Sequence, residues 1–285
     1  MTNSARLAAL AAALLFSSGG AAIKVAAFSA PQVASLRSGI AAAVLLVWYR
    51  RQLAWTSWTA PASVAYAATL ILFVTATKLT TAADAIFLQS TAPIYLLLLA
   101  PWLLHEHVTR RDVVYLLAVA AGMVLCFGDQ AGATATAPNP QMGNLLALGA
   151  GLTWALTLVA LRHLNRSGAL TPRAGAGITA VVTGNALACF VALPWALPLP
   201  QASGTEWLTI LYLGVVQIGL AYVCLTTAMR RLPALEVSLL LLLEPALNPV
   251  WTWMVRGEAP GQWTVAGGAV IIGATAIRTW RARSV

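Results

Sequence analysis

This 285-residue chain is short of charge: Asp, Glu, Lys and Arg make up 9% of it, and only 8 residues are acidic. A soluble domain carries roughly 25% charged residues, so a shell built to face water is excluded. Cysteine is scarce as well. Its 3 copies, Cys126, Cys189 and Cys224, sit inside apolar runs without C-x-x-C spacing, which leaves no disulfide or metal framework. The chain also lacks a Gly-rich phosphate loop, a metal-ligand pair and a nucleophile with an adjacent base. An ATP-driven pump and an intramembrane enzyme therefore find no support, and no cofactor is expected.

What is present is apolar. Hydrophobic residues make up 60% of the chain and the mean hydropathy is +0.80. Ten apolar spans are expected near 5–26, 31–49, 58–78, 82–104, 111–128, 141–163, 172–195, 206–229, 233–255 and 261–280. A helix of about 20 residues crosses a hydrocarbon core of about 30 Å. Barrel strands would alternate apolar and polar residues, which these runs do not, whereas helices satisfy their own backbone bonds in lipid. The first run, with Arg6 and small residues from Gly19 to Ala22, also has the outline of a signal peptide. Its match to the sixth, Phe16–Lys24 against Trp154–Arg162, favours a retained helix.

The net charge of +9 points to topology rather than to nucleic acid. With ten spans and an inside N-terminus, one face collects Arg6, Arg50, Arg51, Arg110, Arg111, Arg162, Arg166, Arg173, Arg230, Arg231, Arg278, Arg281 and Arg283, 13 of the 17 basic residues. Such asymmetry predicts cytoplasmic termini in a multi-pass inner membrane protein, with lipid headgroups as the partners of this charge.

The chain also contains itself twice at a shift of 152 residues: Lys78, Asp84, Pro93 and Glu106 recur as Arg230, Glu236, Pro245 and Glu258. Units of about 20 to 50 residues would mean a solenoid or propeller; this longer period marks a duplicated membrane unit. Five spans is an odd number, so the second copy enters the membrane from the other side and the repeats are inverted. The expected division is 1–130, a periplasmic linker 131–140 at the Lys- and Arg-free seam, and 141–285. The other connections are short, so function lies between helices. Glycines such as Gly149, Gly151, Gly184, Gly214 and Gly219 let helices approach closely, and static packing accounts for them as readily as motion does.

The paired Pro-x12-Glu units, Thr91-Ala92-Pro93-Ile94-Tyr95 with His105-Glu106 and Glu244-Pro245-Ala246 with Gly257-Glu258, resemble the signature of the drug/metabolite transporter superfamily, EamA branch. Within it the chain looks most like the YddG-type aromatic amino acid exporters. The resemblance implies an all-α basket of ten helices around a central cavity, exporting small amphipathic metabolites from the cytoplasm.

Glu244 is the outstanding candidate for substrate contact. A carboxylate within an apolar span costs about 2.5 to 3.5 kcal/mol on insertion scales, so it should face a cavity or a partner. Pro245 and Pro249 are expected to break its helix twice, with Asn248 one turn on from the acid on the same face. The shift maps Glu244 onto Ala92, so the acid exists in one half only; Gln89, with Ser90, Thr91 and Tyr95 nearby, is its polar counterpart. Trp154 and Tyr222 offer stacking surface, for which helix packing is the plainer reading. Thr153, Thr157, Asn185 and Gln217 extend the candidate lining.

Asp84 and Glu236 open spans, where an acid complements the helix dipole; Lys78 and Arg230 just before them are gate candidates as salt-bridge partners. Glu106 and Glu258 read as loop anchors, and His105 and His107, two residues apart, do not share a helical face suited to a metal. Trp48, Trp55, Trp58, Trp102, Trp263 and Trp280 read as interfacial belts. The expectation is a secondary exporter of aromatic or hydrophobic amino acids working by alternating access, with protons as a candidate coupling ion. The alternative is a proton-coupled exporter of lipophilic cations or other small metabolites.

Overall fold

The structure, a computed structural model, describes residues 2–105, 109–126, 137–167, 175–256 and 262–281. The expectations at Glu106, His107, Glu258 and most of the linker 131–140 fall outside the described residues. Among the described residues every regular element is helical: α1 (Thr2–Ser17), α2 (Gly19–Val25), α3 (Ala30–Tyr49), α4 (Thr59–Leu79), α5 (Ala82–Gln89), α6 (Ala92–Leu104), α7 (Arg110–Cys126), α8 (Pro140–Ser167), α9 (Ala176–Ala196), α10 (Gly204–Tyr212), a π-helical segment (Leu213–Leu220), α11 (Ala221–Met229), α12 (Ala234–Leu241), α13 (Leu243–Arg256) and α14 (Gln262–Arg281).

Seven stretches among them are long and apolar enough to cross a membrane: Asn3–Val25, Ala30–Tyr49, Thr59–Leu79, Ala82–Leu99, Pro140–Asn165, Ala176–Ala196 and Gly204–Met229. The helices start where polar side chains can take over orphan backbone donors. Ser29 and Gln32 form a capping box at α3, and Ser203 and Glu206 form another at α10. Thr81 accepts from the Asp84 backbone at the head of α5.

Leu7, Val47, Leu98, Phe190 and Leu208 point outward, more than half exposed. Exposed apolar side chains are what a lipid-facing surface requires. Trp48, Trp55, Trp102 and Trp263 are likewise exposed. Trp58 departs from the belt expectation: it is half-buried, its ring 4.5 Å from that of His163, because the head of α4 is packed against α8.

The principal packings join elements distant in sequence: α3 against α9, α7 against α14, α4 against α8, and α1 against α11. Small residues permit this. A side chain at Gly184 of α9 would meet the Ser63 carbonyl and the Tyr66 ring of α4. Buried apolar residues form two clusters. The larger holds Ala9, Phe16, Tyr66, Tyr115, Tyr222, Met229 and Leu235, and the smaller holds Ile23, Phe28, Phe73, Ile86, Ala147 and Ile210.

Candidate substrate cavity

Two helix breaks face one another in the molecule. α5 gives way to α6 at Ser90 and Thr91, and α12 gives way to α13 at Leu242; the 152-residue shift carries Ser90 onto Leu242. At the first break the hydroxyls of Ser90 and Thr91 donate to the carbonyls of Ile86 and Leu88, at 2.6 and 2.7 Å, while the Thr91 N–H bonds the Leu88 carbonyl three residues back rather than four. At the second, the sequence reading expected breaks at Pro245 and Pro249, and the structure has one, just ahead of Pro245. The chain breaks once, before Glu244, and α13 continues through position 249. Pro245 is third in α13, where a backbone N–H has no intrahelical acceptor to lose.

A pocket lies beside these breaks, lined by Phe16, Arg37, Thr69, Leu70, Phe73, Gln89, Trp154, Gln217, Ile218, Tyr222 and Glu244. A second lobe shares Gln89, Trp154 and Glu244 and adds Ser90, Ala92, Pro93, Ser238, Leu241 and Leu242. The lining mixes one acid, one base and two amides with an aromatic wall.

Of the residues singled out in the sequence, Glu244, Gln89, Trp154, Gln217 and Tyr222 meet in the main cavity and Ser90 in the second lobe. Tyr95, Thr157 and Asn248 are not in the lining of either. Thr157 is fully buried, donating to the Thr153 carbonyl at 2.8 Å with the Thr69 hydroxyl 3.4 Å away. Asn248 is buried with its Oδ1 against the backbone of Gly20, where a side chain would have to sit. Tyr95 packs on the larger apolar cluster.

The aromatic wall is a connected set. The Phe16 and Tyr222 rings lie 5.1 Å apart, Phe16 and Trp154 6.2 Å, and Trp154 and Tyr222 6.1 Å, all edge to face. Tyr66 adds a contact to Tyr222 at 4.5 Å, and its hydroxyl accepts from Asn185 Nδ2 at 3.0 Å. Phe16 and Trp154 occupy corresponding positions in the matched segments of the first and sixth spans, so both halves contribute to one wall.

Arg37 is the cavity residue that the sequence reading passed over. It is absent from the sequence-based candidates, although the rule that singles out Glu244 applies equally to a base within an apolar run. Its side chain is 1% exposed. Nη2 donates to the Leu70 carbonyl at 3.3 Å, while Nε and Nη1 have no hydrogen-bond partner among the described residues. Gln217, on the π-helical segment, is buried with Oε1 unpartnered. Such segments displace a side chain from the regular helical register and recur at functional sites.

The gate candidates are held differently from the expected pairs. Lys78 Nζ donates to the Ala26 carbonyl at 2.7 Å, and Lys24 Nζ reciprocates to the Thr80 carbonyl at 2.7 Å. Asp84 lies 3.4 Å from the Thr80 hydroxyl. Glu236 pairs with Arg6 at 2.8 Å rather than with Arg230, because α12 packs against α1 whereas Arg230, at the end of α11, is exposed. Arg162 Nη1 donates to the Met229 carbonyl at 2.8 Å. Thus Lys24 and Arg162, which match at the ends of the corresponding segments Phe16–Lys24 and Trp154–Arg162, each bind a carbonyl at the C-terminal end of a packed helix, α4 or α11.

A bundle of membrane-length helices that encloses a polar and aromatic cavity is the build of a small-molecule transporter. The chain belongs to the EamA-like transporter family, which matches residues 3–128 and again 141–280. It is similar to the aromatic amino acid exporter YddG of Ancylobacter novellus, 26% identical over 211 residues, covering 74% of this chain and 71% of that protein. A solved crystal structure superposes with a TM-score of 0.74 at 25% identity, covering 99% of this chain and 98% of the other.

Proposed function

We propose that the chain exports amino acids, aromatic or hydrophobic ones foremost, across the cytoplasmic membrane as a secondary transporter. The carrying observation is the pocket that Glu244 lines together with the Phe16, Trp154 and Tyr222 rings. An ammonium group suits the acid, and an apolar side chain suits the rings. The name of the A. novellus relative points the same way.

The mechanism in this reading is alternating access of two inverted five-helix repeats, 1–130 and 141–285, with ten spans and both termini in the cytoplasm. Three features support it. The family matches the chain in two separate stretches. The helix pairings are exchanged into one another when the halves are swapped: α3 with α9 and α7 with α14 map onto themselves, and α4 with α8 maps onto α1 with α11. The corresponding residues Lys24 and Arg162 each reach a carbonyl at the C-terminal end of a packed helix, α4 or α11. A lipophilic-cation exporter fits less well, because a second buried cation, Arg37, already lines the cavity and like charges in a low dielectric repel strongly.

The test is efflux of radiolabelled phenylalanine, threonine and tetraphenylphosphonium from liposomes holding the purified protein, with and without a pH gradient. Phenylalanine efflux above protein-free vesicles is the expected result. Efflux of the cation alone would transfer the reading to the alternative.

A further inference from the structure

Resting on the amino acid reading, we infer that Arg37 is the carboxylate-binding group of this cavity, so that the transported molecule is recognised as a zwitterion held between Arg37 and Glu244. Arg37 is wholly buried, lines the cavity, and leaves Nε and Nη1 without a hydrogen-bond partner. A guanidinium stays charged in any accessible pH range. Burying it with part of its donor fork unmatched costs several kcal/mol unless a ligand completes it.

Among the described residues its one hydrogen-bond partner is the Leu70 carbonyl, which leaves the fork incomplete. Glu244 lines the same cavity, yet Arg37 and Glu244 form no ion pair, and Glu244 has no hydrogen-bond partner among the described residues. An acid and a base that line one cavity without pairing with each other are complementary to a molecule carrying both an ammonium and a carboxylate. The unmatched Nε and Nη1 donors can receive carboxylate oxygens, and Glu244 takes the ammonium. The remaining walls are the aromatic rings, which receive the side chain, and Gln217, whose unpartnered Oε1 accepts a further N–H.

The choice of substrate follows. Removing either charged group from the ligand should forfeit one charge-assisted contact, worth about 10- to 100-fold in affinity. The experiment is thermal stabilisation of the purified full-length protein titrated with phenylalanine, phenylalanine methyl ester, phenethylamine and 3-phenylpropionate, repeated on Arg37→Gln and Arg37→Lys. For the unmodified protein, phenylalanine should bind at least about tenfold more tightly than the ester or the amine. In Arg37→Gln, affinity for phenylalanine should fall to that of the ester while ester and amine affinities stay level. Arg37→Lys, which keeps the charge and loses the fork, should fall in between.

Equal affinity of the unmodified protein for phenylalanine and its ester would overturn the inference and leave the exporter reading intact. Binding of 3-phenylpropionate but not of phenylalanine, lost in Arg37→Gln, would uphold Arg37 as the carboxylate group and sink the amino acid reading. Should Arg37→Gln fail to fold, the ligand ranking on the unmodified protein and on Arg37→Lys still decides.

Discussion

At the scale of single residues, the cavity combines an acid, a base and a set of rings that share no stretch of sequence. Glu244→Gln keeps the volume and hydrogen-bonding capacity of the side chain and removes its charge. Export of amino acids should drop about tenfold or more, since a charge-assisted contact is lost, while the variant retains its monodisperse gel-filtration profile. Unchanged flux per folded protein would assign Glu244 to packing. Tyr222→Ala and Trp154→Ala probe the wall. An aromatic contact is worth about 0.5 to 1.5 kcal/mol beyond area, so phenylalanine transport should weaken about 2- to 12-fold more than threonine transport. Equal losses for both substrates would mean that the rings support the helices rather than the ligand.

At the scale of elements, the site depends on where helices stop. α5 and α12 end beside the cavity, and a neighbour must approach closely enough to cover the exposed backbone. Gly151 of α8 does this at the first break: a side chain there would press on Thr91 Oγ1 and on the carbonyls of Gln89 and Leu88. Overpacking of this kind costs about 1 to 3 kcal/mol. Gly151→Val should therefore lower the melting temperature and reduce flux, because Gln89 would be displaced from the cavity. A variant with native stability and native flux would show that the break tolerates movement. The positions of the helices were largely legible beforehand, since hydropathy runs and turn residues act locally. Where each helix breaks was not. Pro245 breaks the chain three residues ahead of itself, because its ring and missing N–H oppose a ladder continuing through Leu241, whereas α13 runs on through position 249 without a break.

At the scale of the whole molecule, the reading turns on sidedness. Gln52, Arg231 and Asn139 are all exposed, and the ten-span topology puts the first two on the cytoplasmic face and the third outside. In a background free of Cys126, Cys189 and Cys224, a membrane-impermeant thiol reagent added to intact cells should label Asn139→Cys and spare Gln52→Cys and Arg231→Cys, reversing in inverted vesicles. Labelling of all three from one face would dismantle the inverted repeat. If the repeats rock about the cavity, the contacts of Lys24 and Lys78 at one end and of Arg6 and Arg162 at the other should loosen alternately.

The sequence by itself determined that the chain is a helical membrane protein, that it carries a repeat, and that Glu244 is an acid in apolar company. Those properties belong to one helix at a time or to a fixed spacing, because lipid imposes length, hydropathy and internal hydrogen bonding on each span separately. Only the tertiary structure decided which faces meet. Arg37 and Glu244 are far apart in the chain and come together because α3, α13 and the π-helical segment border one space. Asn248 and Thr157 carried the same polar signal as Gln89, yet helix rotation buried them against Gly20 and Thr69 instead. Rotation about a helix axis leaves hydropathy almost unchanged while it determines what a side chain touches, so that information resides in the packing.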